Sequence, residues 1–114
     1  MFESVLILIP AHNEAQAVGA VAREAARHTN CRVVVIDDAS TDNTAEIARD
    51  VGATVLSLAV QLGAWGALQT GFRFALQQGY QFVITMDADG QHEAVDLHKL
   101  FLPVHDGLAD VSIG

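Results

Sequence analysis

Cysteine occurs once in the 114 residues, at Cys31. A lone cysteine excludes an intrachain disulfide and a thiolate-built zinc site, and it fits a reducing compartment. Basic residues are scarce too: six Lys plus Arg face fourteen Asp plus Glu, a formal net charge of −8. A nucleic-acid binder needs a basic footprint, so nucleic acid is excluded as a partner. The sole lysine is Lys99, and no G-x-x-x-x-G-K-[ST] phosphate loop exists; no G-x-G-x-x-G follows the first apolar run either. No stretch reaches the ~18 apolar residues of a membrane span, and Met1-Phe2-Glu3-Ser4 lacks the basic start of a signal peptide. What is present is a hydrophobic share of 51% against 18% charged, which rules out a disordered or collagen-like chain. The length allows one small domain with a real core. These features describe a soluble, acidic, cytoplasmic domain.

The run Val5-Leu6-Ile7-Leu8-Ile9, stopped by Pro10, predicts a strand buried on both faces. From Glu14 to about His28 an Ala-rich stretch carries Val18, Val21, Ala22 and Ala25 on one helical face. Arg32 to Ile36 predicts a second strand, ending at Asp37-Asp38. Asn43 with Glu46 predicts a capping box on a helix over Thr44–Val51, ended by Gly52. A short third strand follows over Thr54–Leu58, then a helix over Ala64–Gln78 and a fourth strand over Phe82–Met86. A helix from about Ala94 to Leu102, closed by Pro103, leads to the start of a fifth strand at Val111-Ser112-Ile113. Apolar runs alternating with helices predict a Rossmann-like, three-layer α/β/α fold on a mostly parallel sheet.

In such a sheet, ligands bind outside the carboxyl ends of the strands. Three polar clusters fall there: Pro10-Ala11-His12-Asn13-Glu14, Asp37-Asp38 and Asp87-Ala88-Asp89-Gly90-Gln91-His92. Turn-making accounts for any one of them as well as function does. Three acidic clusters on one rim are another matter, because crowded carboxylates repel unless a cation is present. Asp87 and Asp89, one residue apart with Gly90 letting the backbone turn, can grip a divalent ion. Hard oxygen ligands suit Mg²⁺ or Mn²⁺, with phosphate oxygens completing the shell. A helix-loop-helix calcium site is excluded, since His92 and His98 stand where its Gly and Glu belong. Gly63-Ala64-Trp65-Gly66 opens the third helix; its small residues either admit a phosphate to the helix amides or serve tight packing. Trp65 is expected to cap the core. His28, His98 and His105 are expected on helices at the surface, while His12 and His92 sit on the rim, within reach of a ligand. With no Ser-His-Asp signature and Cys31 away from the rim, nucleophilic catalysis has no support.

Four segments in register resemble family 2 glycosyltransferases: Ile9-Pro10-Ala11-His12-Asn13-Glu14, Val35 to Thr44, Gly63 to Phe72, and Met86 to His92. Within that family the chain is most similar to the dolichyl- and polyprenyl-phosphate sugar transferases. The resemblance implies the nucleotide-sugar-binding half of a GT-A fold. It implies that Pro10, Ala11, Glu14 and Asp38 line the nucleoside pocket, with Asp38 facing the base. Asp87 would lie near the ribose and metal, Asp89 would bind Mg²⁺ or Mn²⁺ bridging the diphosphate, and Gln91 would assist at the metal. No catalytic base is assigned. Where many relatives carry a basic residue, this chain has Ala64 and Trp65. Relatives also continue past the strand matching Asp110–Gly114 into an acceptor-binding half, so residues 1–114 are expected to be a truncated, donor-binding GT-A subdomain. The implied activity is metal-dependent, inverting transfer from a UDP- or GDP-sugar to a polyprenyl phosphate or glycan acceptor, at the cytoplasmic face of the membrane in the parent protein. An uncovered flank would favour homo-oligomers. Two alternatives are a module that binds donor without transfer and a haloacid-dehalogenase-type phosphatase built on Asp87-x-Asp89-Gly90.

Overall fold

The structure is a computed structural model that describes residues 5–88, 101–105 and 108–109. Its elements run β1 (Val5–Ala11), α1 (Val18–Thr29), β2 (Arg32–Asp37), α2 (Thr44–Asp50), β3 (Thr54–Ser57), α3 (Gly63–Gln77), β4 (Phe82–Thr85), β5 (Phe101–His105) and β6 (Leu108–Ala109). The strands form one sheet in the order β3-β2-β1-β4-β5-β6. The first four are mutually parallel, with Leu8 opposite both Val34 of β2 and Thr85 of β4. β5 runs antiparallel to β4, and β6 antiparallel to β5. The expected Rossmann-like three-layer architecture is what forms.

The period-2 alternation of β1 sorts its side chains between two layers. Val5, Ile7, Ile9 and Ala11 face a cluster with Val18, Val21, Ala22 and Ala25 of α1 and Ala48 of α2. Leu6 and Leu8 face the other way, against Ala67, Phe72 and Ala75 of α3. Both faces are covered, which is why the run is apolar throughout; Leu6 to Ile9 are fully buried, each worth about 1.5–3 kcal/mol. On the α3 side the helix approaches closely at Gly71, where an added Cβ would lie 2.8 Å from Leu8 Cδ1 and 3.0 Å from Ile36 Cδ1.

Four local expectations need correction. The first helix starts at Val18, not Glu14, because residues 14–17 form a turn in which the Glu14 carbonyl accepts the Ala17 and Val18 amides. Asn43 stands at the N-cap of α2 but makes no side-chain cap bond; Asp42 does that work, accepting the Thr44 amide at 3.0 Å and the Thr44 hydroxyl. The Thr44 hydroxyl is the main reason that the exposed Asp42 carboxyl is held below its ordinary range. Phe101 and Leu102 belong to strand β5 rather than to the end of a helix, and Pro103 lies inside that strand opposite Phe82. His105 is likewise on β5, not on a helix. The expected helix over residues 94–100, His98 and the strand at Val111–Ile113 lie outside the described residues.

Candidate functional site

The carboxyl ends of the parallel strands meet at one rim. β1 connects to β2 on one side, while β3 returns through α3 to β4 on the other, so the strand order reverses beside β1. A cleft of about 210 Å³ opens there, lined by Pro10, Ala11, His12, Glu14, Asp38, Gln61, Gly63 and Ala64. The structure therefore brings together Pro10, Ala11, His12, Glu14 and Asp38, five of the residues singled out from the sequence. Asp87 is exposed two residues past Thr85, which pairs with Leu8; Pro10 lies the same distance past Leu8 on β1. Asp87 thus stands on the same rim. Asp89, Gln91 and His92 lie outside the described residues.

Asp37 and Asp38 are adjacent in sequence but do different work. Asp37 turns the chain: its Oδ1 accepts the Ser40 amide at 3.2 Å, and its carbonyl accepts the amides of Ala39 and Leu58. Asp38 is 3% exposed and faces the cleft, with Oδ1 accepting the Leu62 amide at 2.7 Å and Oδ2 the Gly63 amide at 2.9 Å. A carboxylate at a helix N-terminus also gains from the helix dipole. Each oxygen keeps a lone pair for a further donor. Of the two roles open to the glycine-containing segment, the amides of Leu62 and Gly63 are therefore engaged by Asp38. Gly63 has φ +85°, a conformation that strains any residue with a Cβ. Trp65, expected to cap the core, is 50% exposed and makes an edge contact with the Phe72 ring.

One side chain that sequence reasoning leaves among the turn formers proves central to this wall. Asn13 adopts φ 55°, and its Oδ1 accepts the Thr41 amide at 2.8 Å, the Thr41 hydroxyl at 3.2 Å and the Asp42 amide at 3.3 Å. Its own amide donates to Ser40 Oγ at 2.8 Å. Asp42 Oδ2 accepts the Ala15 amide, and the Thr44 hydroxyl accepts that of Glu14. The loop after β1 is thus stapled to the loop after β2.

A divalent ion would find hard oxygen donors here. Among the described residues no group of three His, Cys, Asp or Glu could hold an ion. Asp87 places one exposed carboxylate on this rim; Asp89 and Gln91, expected to share the ion with it, lie outside the described residues. Among the described residues no helix is long and apolar enough to cross a membrane.

Comparison with known proteins agrees with this arrangement. Glycosyltransferase AglJ of Haloferax volcanii is 37% identical over 105 residues, covering 92% of this chain and 34% of the relative. The undecaprenyl-phosphate mannosyltransferase of Micrococcus luteus is 36% identical over 118 residues, covering 96% of this chain and 47% of the relative. Glucosyl-3-phosphoglycerate synthase of Mycobacterium tuberculosis in complex with UDP superposes with a TM-score of 0.65 and 25% identity, over 76% of this chain and 34% of that one. The same synthase has been crystallised with Mn²⁺ and UDP-glucose. The chain spans about half or less of the length of these relatives. The phosphatase alternative loses its footing, since the Asp87 segment follows the fourth strand of the sheet and not the first. Residues 6–114 match the family described as Glycosyl transferase family 2, and the chain belongs to that family.

Proposed function

We propose that this chain binds the nucleotide-sugar donor of a metal-dependent, inverting glycosyltransferase. The observation that carries the reading is the cleft at the strand-order reversal, where Pro10, Ala11, Glu14 and the buried Asp38 meet the start of α3. Asp38 would receive an N–H of the base on the lone pairs left free by Leu62 and Gly63. Asp87, with Asp89 and Gln91, would hold Mg²⁺ or Mn²⁺. That ion would offset the diphosphate charge on an acidic rim and stabilise the leaving nucleoside diphosphate. The donor would be a UDP- or GDP-sugar. UDP is supported by the synthase that carries it on this fold. A polyprenyl phosphate acceptor is supported by the mannosyltransferase relative.

The second reading is donor binding without transfer by these residues alone. It is favoured by the share of the relatives' length that the chain covers. One calorimetric series addresses the common element: UDP and GDP titrated with Mn²⁺, with Mg²⁺ and with EDTA. The expected result is binding at least tenfold tighter with either ion, because the rim carboxylates otherwise repel the diphosphate. Equal affinity with and without the ion would contradict the metal's bridging role.

A further inference from the structure

We propose that Asn13 is a positioning residue of the nucleotide cleft: its side-chain amide holds the His12 ring in one orientation on the cleft wall. The inference rests on the donor-binding reading above. The atoms leave few choices. His12 Nδ1 lies 2.7 Å from the Asp38 carbonyl oxygen, which can only accept, so Nδ1 carries the proton. In a neutral ring Nε2 is then an acceptor, and Asn13 Nδ2 lies 3.3 Å from it.

The orientation of the Asn13 amide is fixed independently of His12. Its oxygen takes the Thr41 amide, the Thr41 hydroxyl and the Asp42 amide. Exchanging oxygen and nitrogen would set the NH₂ against the two backbone donors. The NH₂ is therefore left for His12, and a second proton on the ring would meet a donor there. The result is a continuous line of hydrogen bonds from the Thr41 turn through Asn13 and His12 to Asp38. The Asp38 carboxylate in turn holds the start of α3. His12 thus contributes an oriented side to the cleft.

The test uses the 114-residue chain at one fixed pH near neutrality, with histidine ring ¹⁵N shifts recorded before UDP and Mn²⁺ are added. Asn13→Gly deletes the side chain without straining the positive φ. Thr29→Ala serves as the control: it removes a hydroxyl at the opposite end of the sheet that donates to the Ala25 carbonyl and accepts the Cys31 amide, and it leaves the Asn13–His12 contact in place. The wild type is expected to show the Nδ1–H tautomer. Asn13→Gly should keep the proton on Nδ1, where the Asp38 carbonyl still accepts it, yet shift the Nε2 signal and weaken UDP binding about three- to tenfold. Thr29→Ala should lose stability yet keep the wild-type ring shifts and affinity. A wild-type Nε2–H tautomer would overturn the proposal, as would ring shifts unmoved by Asn13→Gly or equal affinity losses in both variants. A wild type that shows the Nδ1–H tautomer but binds no UDP would sink the donor-binding reading, while the ring shifts alone decide the Asn13–His12 assignment.

Discussion

Asp38→Ala is expected to destabilise the ligand-free protein by about 1.5–3 kcal/mol, the range for hydrogen bonds to a charged group. The carboxylate is buried and satisfies two backbone donors at the start of α3, which alanine leaves without a partner. A domain near this size loses roughly 4–8 °C of melting temperature per kcal/mol. The same change should weaken uridine and UDP together, since the proposed contact is to the base and not to the phosphates. Asp38→Asn separates the effects: its oxygen can still accept one amide, while its NH₂ opposes the other. Urea denaturation of the three proteins without ligand, followed by titration with uridine and UDP, measures both. Unchanged stability would show that the Leu62 and Gly63 amides have another partner in solution. Unchanged uridine affinity would confine Asp38 to holding α3.

The second large effect concerns how α3 reaches the sheet. Gly71→Val should cost about 1–3 kcal/mol or somewhat more, because its Cβ alone meets Leu8 and Ile36 methyls at 2.8–3.0 Å. Those methyls belong to fully buried side chains with little room to yield. Pairing Gly71→Val with Leu8→Ala should recover part of the loss, since truncating Leu8 opens the space that the new methyls need. The double-mutant cycle is thus expected to be non-additive in the favourable direction, by at least ~0.5 kcal/mol. Strict additivity in denaturant midpoints would mean that α3 shifts as a body and that Gly71 does not set its approach. Because α3 carries Gly63 and Ala64 into the cleft, the destabilised single variant should also bind UDP less tightly.

The parts of the fold that were legible are those in which one physical cause dominates. The runs Val5–Ile9 of β1 and Val33–Ile36 of β2 are apolar throughout because helices cover both faces, and few arrangements besides a covered parallel sheet produce that pattern. The rim followed from topology, since polar residues after successive parallel strands must gather at one end. The misreadings share the opposite property, with two local signals competing. Ala15 to Ala17 are good helix formers, yet Asn13 in the left-handed region and the bond from Ala15 to Asp42 hold the chain in a turn until Val18. Asp42 and Asn43 both suit a cap, and the three-dimensional position of Thr44 decided for Asp42. Pro103 reads as a helix stop. In the fold it lies in β5, opposite Phe82 of β4.

At the site, the strand order placed Asp37-Asp38 on the rim and the family resemblance singled out Asp38, but neither showed its double engagement by the amides at the start of α3, which depends on a loop 24 residues away. Trp65 was misjudged for a related reason. An aromatic at the start of an amphipathic helix can turn in or out, and here the small residues Ala67, Gly71 and Ala75 already let α3 settle on the sheet. Asn13 escaped notice because its role lies in joining two loops, and no single segment carries that information.

Residue-resolved nuclear magnetic resonance of the 114-residue chain with UDP, and then with Mn²⁺, tests the central claim most directly, because it reports where the ligand sits. UDP is expected to shift the amides of Ala11 to Glu14, Asp38 and Gln61 to Ala64. Sub-stoichiometric Mn²⁺ should then broaden Asp87 and its neighbours far more with UDP present than without it. Shifts gathered instead at the opposite end of the sheet, around Asn30 to Arg32, Gly52 to Thr54 and Gly79 to Gln81, or no shifts at all, would contradict a donor site at this rim.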